Sequence, residues 1–300
     1  MSTPLIRILL ATCNGGAHLA EQLDSYLTQT HAPWALWVSD DNSSDDTWAI
    51  LERFRDANPD REIRLMRGPG RGAAANFLSL ITHPDLPAGP VALSDQDDVW
   101  LPNRLSRAWE GIGDLEGPAL YGSTTIETDP DLTPLKKQRK RLPPPSFANA
   151  LVQNVVAGNT ITLNAAGLAA LRAGGAPDVA FHDWWIYLRM TGIGAQVVID
   201  DVPLLYYRQH AGNVLGAHSG MRAGMQRVGA LLRGEHAGWM RRNLDALLAD
   251  EAALDPDHAS AARLLRDHPR RLQALRRSGA RRSGRAGRIA LTALALLGRV

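Results

Sequence analysis

The chain has 300 residues, 45% of them hydrophobic and 21% charged, which is the make-up of an ordinary globular protein with a sizeable core. A net charge of +2 says little by itself, while the single cysteine, Cys13, excludes an internal disulfide and a Cys-rich zinc site. The start of the chain lacks a basic region ahead of a long apolar run, so no secretory signal is expected, and no apolar window is long enough for a confident membrane span.

The first 125 residues alternate between short β-rich runs and helix-period segments. Strands are expected at 6–11, 35–39, 63–67, 91–94 and 119–123. Helices are expected at 19–26, 47–54, 73–81 and 104–112. That alternation predicts β-α-β units and a mostly parallel central sheet flanked by helices, an α/β fold. Ligands of such sheets sit beyond the carboxyl ends of the strands. The segments just past the first four strands are all polar or Gly-rich: Thr12-Cys13-Asn14-Gly15-Gly16, then Asp40-Asp41-Asn42-Ser43-Ser44-Asp45-Asp46, then Gly68-Pro69-Gly70-Arg71-Gly72, then Asp95-Gln96-Asp97-Asp98. Residues 126–147 break the pattern. Lys136-Lys137-Gln138-Arg139-Lys140-Arg141, with three prolines close behind, reads as a basic loop: a solvated charge run, a lid or an acceptor contact.

Order resumes near Gln153. A helix is expected at 165–171 and a strand at 195–199, with Phe181-His182-Asp183-Trp184-Trp185 between them and Tyr207-Arg208-Gln209-His210-Ala211-Gly212-Asn213 after them. From about Ser219 the chain reads as Arg-rich helices. The domain division is therefore 1–216 and a helical C-terminal extension, 217–300. The extension ends in an apolar segment, 289–298, beside Arg281, Arg282, Arg285 and Arg288. Basic charge next to apolar surface suits peripheral contact with the anionic cytoplasmic membrane face. Packing on the catalytic domain or on a second subunit fits equally, and the oligomeric state stays open. No recognisable nucleic-acid motif is present, so no nucleic-acid partner is expected.

The carboxylates carry the chemistry. Asp95 and Asp97 are two positions apart, so at a strand end they can converge on one cation. Hard divalent ions take one or two protein carboxylates together with substrate phosphate oxygens. Helix-start chemistry is the competing account for this cluster, most of all for Asp98. Asp45 and Asp46 suit the first turn of the helix behind them. Asp40 and Asp41 lie at the strand end, where a carboxylate can accept the imide N–H of a pyrimidine base.

Ala11-Thr12-Cys13-Asn14-Gly15, Val38-Ser39-Asp40-Asp41-Asn42-Ser43-Ser44-Asp45 and Ser94-Asp95-Gln96-Asp97-Asp98-Val99-Trp100, in this order and spacing, resemble the nucleotide-sugar half of a family 2 glycosyltransferase. The resemblance spans roughly residues 4–215. It implies a GT-A fold with a Rossmann-like nucleotide-binding half, an activated sugar donor (a dTDP- or UDP-sugar), and inversion at the anomeric carbon. It further implies that Thr12 and Asn14 line the nucleotide pocket, that Asp41 contacts the base with Asp40 close by, and that Asn76 sits near the nucleotide. Asp95-Gln96-Asp97 matches the D-x-D motif, with Asp97 as the ligand of Mg²⁺ or Mn²⁺ and Asp95 toward the ribose or a metal-bound water.

By the same resemblance Asp183 is the catalytic base, in place of the commoner Glu-Asp pair. His182 departs from the pattern, and its role stays open. His210 is implied as a second metal ligand, and Arg208 as approaching the diphosphate. Trp100, Trp184 and Trp185 fit sugar stacking or buried packing. The branch most resembled is the rhamnosyltransferase-like one of bacterial surface-polysaccharide assembly, with a glycan or lipid-linked acceptor and a cytoplasmic location. A sugar nucleotidyltransferase, or a non-catalytic sugar- or membrane-binding protein, are the alternatives. The former wants a basic residue in the loop after the first strand, which Asn14-Gly15-Gly16-Ala17-His18 lacks.

Overall fold

The computed structural model describes residues 3–31, 33–135, 142–209 and 235–298. Among them eight strands form one sheet in the order β3-β2-β1-β4-β7-β6-β8-β5. They are β1 (Ile6–Thr12), β2 (Trp34–Asp40), β3 (Ile63–Arg67), β4 (Val91–Ser94), β5 (Val99–Trp100), β6 (Ala119–Thr128), β7 (Thr162–Leu163) and β8 (Gln196–Arg208). The block β3-β2-β1-β4 is parallel throughout. β7 joins it antiparallel to β4 and to β6, β6 pairs parallel with β8, and β5 pairs antiparallel with β8. β1 and β2 are buried at every position. That is why their sequences are near-continuous apolar runs: a parallel strand covered on both faces has no polar side to show.

The helices between these strands keep the 3.6-residue period. α1 (Leu19–Leu27) buries Leu19, Gln22, Leu23 and Tyr26. α2 (Thr47–Ala57), α3 (Ala73–Ile81) and α4 (Arg104–Ile112) complete the units joining the parallel strands and β6. α5 (Phe147–Ala150), a 3-10 turn (Gly158–Thr160), α6 (Ala165–Ala173) and α7 (His182–Gly192) lead into β8. From β1 the chain moves outward to β2 and β3, then returns to the other side of β1 as β4. The crevice at this reversal lies between the ends of β1 and β4, where a doubly wound sheet binds ligands. The register sets Thr12 beside Asp40 and Leu10 beside Ser94, so the polar ends of three strands meet on one rim.

The helices from residue 235 onward are α8 (Glu235–Leu248), α9 (Pro256–Asp267), α10 (Arg271–Ser278) and α11 (Arg285–Leu296). Met240, Leu244, Leu247, Leu254, Leu265, Leu275 and Leu291 belong to the same hydrophobic cluster as Trp184, Trp185 and Tyr187 of α7. Two further ties are Arg281 N–H donating to Ala148 O and Ser283 N–H donating to Gln153 Oε1, each at 2.9 Å. The division expected near 217 lies outside the described residues, as does the basic stretch 136–141. On its described part the extension packs on the catalytic sheet's helical layer rather than standing apart.

Candidate active site

One cleft of about 1080 Å³ runs along the strand rim. Its floor includes Thr12, Asp41, Asn76, Asp95, Gln96, Asp97, His182 and Asp183. Six of the residues expected to serve the donor or its metal are thus brought to one cavity together with the expected base.

The loop carrying the carboxylates is fixed from behind. Ser94 Oγ donates to Asp95 O at 3.0 Å while accepting from Tyr26 Oη at 2.7 Å and Gln22 Nε2 at 3.1 Å. Burial holds the Tyr26 hydroxyl well above its ordinary range, so it remains a neutral donor. Gln96 turns its side-chain amide toward the loop after β1. It accepts from Cys13 N at 2.8 Å and donates to Cys13 O at 3.0 Å. This latch leaves no room for a side chain opposite it: a Cβ on Gly15 would lie 2.4 Å from Gln96 Oε1.

The two acids after β2 are also occupied. Asp40 is fully buried and accepts from Thr12 Oγ1 at 3.0 Å, Ser43 N at 3.2 Å, Ser43 Oγ at 2.5 Å and Arg67 Nη1 at 2.9 Å. It is a structural knot behind the pocket wall. Asp41 lines the cleft and accepts from the Gly70 and Gly72 amides at 2.6 and 2.7 Å, holding the Gly-rich loop after β3. Those two glycines have φ of 67° and 85°, values that side chains resist. Each Asp41 oxygen keeps acceptor capacity for a ligand. Asn14 accepts from Ser44 N at 2.8 Å and stitches the two loops together. Asn76 donates to Ser39 O at 2.8 Å, and its buried Oδ1 has no partner. Asp45 serves the start of its helix as expected, accepting from Thr47 N at 3.1 Å.

Three carboxyls converge on the cleft. Asp95 is pushed up to about 8, first by burial and then by the charges of Asp97 and Asp183. Asp183 is raised to about 6 by burial, against the pull of backbone amides at the start of α7. Its Oδ1 accepts from Trp184 N at 2.7 Å, which fixes the carboxyl at the first turn. His182 stacks on Phe77 at 4.0 Å between ring centres, and burial lowers it to about 3, so the ring is neutral.

Two readings from the sequence change. Asp98 is not helix-start chemistry: α4 begins after Asn103, and Asp98 is fully buried with Oδ2 accepting from Asn159 Nδ2 at 2.6 Å. Burial and the charges of Asp95 and Asp97 hold it well above the carboxylate range. Arg208 does not face the cleft. Its guanidinium is buried behind the loop, where Nε donates to Asp97 O at 3.0 Å and the other nitrogens reach Pro130 O and Glu21. It positions Asp97 through the backbone. Trp100, Trp184 and Trp185 are all buried in the core, the packing alternative of the two expected for them. His210 lies outside the described residues.

The donor set fits a hard divalent cation. Asp95 and Asp97 offer oxygen ligands, and the burial and neighbouring charge that raise Asp95 are what a bound cation would offset. No ready-made cluster of three or more His, Cys, Asp or Glu ligands occurs among the described residues. A site completed by substrate phosphate oxygens needs only one or two protein carboxylates. Among the cleft residues that went unread in the sequence are Trp239 and Arg242, which reach the cavity from α8. The only signal was their three-residue spacing inside a segment that reads simply as basic and helical.

Residues 7–172 match the model of Glycosyl transferase family 2. The chain belongs to that family. It is a glycosyltransferase of GT-A fold, which displaces both the nucleotidyltransferase and the non-catalytic alternatives. It is 27% identical to the dTDP-rhamnosyl transferase RfbG of Shigella flexneri, over 81% of this chain and 86% of that one. It is 25% identical to the UDP-Glc:alpha-D-GlcNAc-diphosphoundecaprenol beta-1,3-glucosyltransferase WfaP of Escherichia coli, over 70% and 79%. Among solved structures, the mannosyltransferase PcManGT from Pyrobaculum calidifontis, in complex with GDP-Man and Mn²⁺, superposes with a TM-score of 0.57 at 17% identity, covering 100% of this chain and 89% of that one. The mixed sheet flanked by helices is thus the GT-A architecture expected from the sequence.

Proposed function

We propose that this glycosyltransferase moves a sugar, with inversion, from a dTDP- or UDP-sugar to a hydroxyl of a glycan or lipid-linked acceptor in bacterial surface-polysaccharide synthesis. The observation that carries the reading is the convergence of Asp95, Asp97 and Asp183 on one cleft at the strand rim. The likeness to RfbG supports rhamnose as the transferred sugar, and the likeness to WfaP supports a lipid-diphosphate-linked acceptor.

In this reading Thr12, Asp41 and Asn76 contact the nucleotide, while Asn14, Asp40, Gln96 and Arg208 hold the loops that do so. Asp97, with Asp95 beside it, would hold Mg²⁺ or Mn²⁺, and His210 is a candidate second ligand. Such a cation supplies charge neutralisation for the departing diphosphate. Asp183 accepts the proton of the acceptor hydroxyl as it attacks the face opposite the leaving group. Burial raises its basicity while leaving it largely ionised at neutral pH, the compromise a general base needs.

Among the described residues no helix is long and apolar enough to cross a membrane. α11 and the residue after it expose Ile289, Leu296 and Leu297 beside exposed arginines, which supports peripheral contact with the cytoplasmic membrane face. The deciding experiment combines two measurements on wild type and Asp183→Asn. Donor hydrolysis across UDP-, dTDP- and GDP-sugars with Mn²⁺ names the donor. Calorimetry of the matching nucleoside diphosphate then asks whether the variant still binds. Loss of transfer with binding intact supports the assignment, and near-normal turnover by Asp183→Asn overturns it.

A further inference from the structure

We infer that Trp239 and Arg242 of α8 form an acceptor subsite for a sugar that carries a phosphate or diphosphate. The inference rests on Asp183 being the base, since whatever flanks the base flanks the acceptor. Phe181 lies two residues before Asp183 and lines the same cleft. Trp239 packs edge-on against Phe181, with ring centres 4.9 Å apart and planes at 84°. The contact sets the indole beside the start of α7, where an acceptor hydroxyl must arrive. An indole held edge-on against a neighbouring ring keeps a face for the C–H side of a pyranose.

Arg242 comes three residues later on α8, the spacing that puts two side chains on one helix face. It is exposed and lines the cleft. Two neighbouring arginines are committed elsewhere: Arg67 pairs with Asp40 at 2.9 Å and Arg208 is bound behind the loop, while Arg71 lines the cleft from the loop after β3, 3.9 Å from Asp178. Arg242 has no hydrogen-bond or ion-pair partner among the described residues, so its planar fork of donors is available. A guanidinium in that state recognises phosphate oxygens bidentately. A stacking ring and an anion-binding fork on one helix face, next to the base, read together as a site for a glycosyl phosphate.

The test measures equilibrium binding, so it does not depend on turnover. An alkyl hexosyl diphosphate and the matching uncharged alkyl hexoside are titrated into the full chain already saturated with Mn²⁺ and nucleoside diphosphate. Wild type is expected to bind the charged probe more tightly. Arg242→Ala should weaken the charged probe by about 10–100-fold, the worth of a charge-assisted hydrogen bond, and leave the uncharged probe unaffected. Trp239→Ala should weaken both probes. Nucleoside-diphosphate affinity, measured separately, should not move in either variant. Three outcomes overturn the subsite: no saturable binding of either probe to wild type, equal losses for both probes in Arg242→Ala, or weakened nucleoside-diphosphate binding in that variant. If nucleoside diphosphate fails to bind wild type at all, the donor-site reading fails instead.

Discussion

Asp95 is the group whose removal separates stability from function. Its carboxyl sits at about 8 in the folded chain, against an ordinary 3.8. The native state therefore binds one more proton than the unfolded state across that interval, and stability falls as pH rises through it. The sign is opposite to that of a salt-bridged aspartate. The contribution is most favourable below 3.8 and is lost progressively up to about 8. The full interval sets a ceiling of roughly 6 kcal/mol at 1.36 kcal/mol per pH step. The side chain is only part-buried by exposed area and shares its charge with Asp97 and Asp183, so solvent and neighbours screen much of this. A working value is about 2–3 kcal/mol.

Asp95→Asn keeps the shape and removes the charge. The metal-free variant is expected to be more stable than wild type by that amount at pH 8.5, with the difference shrinking toward zero near pH 4. Urea unfolding in EDTA at a series of pH values measures it. The subtraction cancels every group the two proteins share, apart from Asp98, which Asp95 also pushes up, so its relief adds in the same direction. Adding Mn²⁺ and nucleoside diphosphate should stabilise wild type and reverse the order. A variant-minus-wild-type difference that stays flat from pH 4 to 8.5 refutes the electrostatic account of this loop.

Three other outcomes rest on the same geometry. With Asp183 as the proposed base, the pH profile of kcat should have an acidic limb near pH 6, where its carboxyl loses its proton, and Asp183→Asn should lower kcat by about 10²–10⁴-fold. Arg104→Met should destabilise the fold by about 1–3 kcal/mol in urea unfolding, the cost of leaving its buried acceptors unpaired: its buried guanidinium, stacked 4.0 Å from the Trp100 ring, donates to Asn159 O at 3.0 Å and Thr162 Oγ1 at 3.1 Å. Gly15→Ala should expel the Gln96 amide and raise the donor KM several-fold, and the same change in a Gln96→Ala background should cost much less, because the atom it meets is gone.

The first half of the fold was legible because β1, β2 and β4 are buried at every position and each helix shows one apolar stripe. The strands at 63–67 and 91–94 and the helices at 73–81 and 104–112 fall within the expected limits. The second half was less so. β5 and β7 have two residues each, too short to carry a period. β8 runs 13 residues, but its Asp200-Asp201-Val202-Pro203 segment reads as a break. A proline there forgoes a ladder hydrogen bond, and the pairing with β6 is shifted in register at that point. Asp98 and Arg208 were misplaced for a different reason. Each is defined by a partner in another part of the chain: Asn159 for Asp98, and Glu21 with the Asp97 carbonyl for Arg208. Local spacing carries no trace of such pairings.

These misplacements sharpen the account of the loop between β4 and β5. Its polar groups divide by direction. Ser94, Asp98 and the Asp97 carbonyl point back into the protein, where Tyr26, Asn159 and Arg208 hold them. Gln96 points sideways and clamps the loop after β1. Asp95 and Asp97 line the cleft with Asp183 facing the same space. The cations nearest this loop, Arg104 and Arg208, are spent on carbonyls and on Glu21, so they fix its position without offsetting the charge in the cleft. A loop held rigidly from behind cannot relieve the repulsion of its forward carboxyls by moving away. In the free protein burial, with the charges of Asp97 and Asp183 added, raises Asp95, and a cation entering the cleft would favour its ionised form.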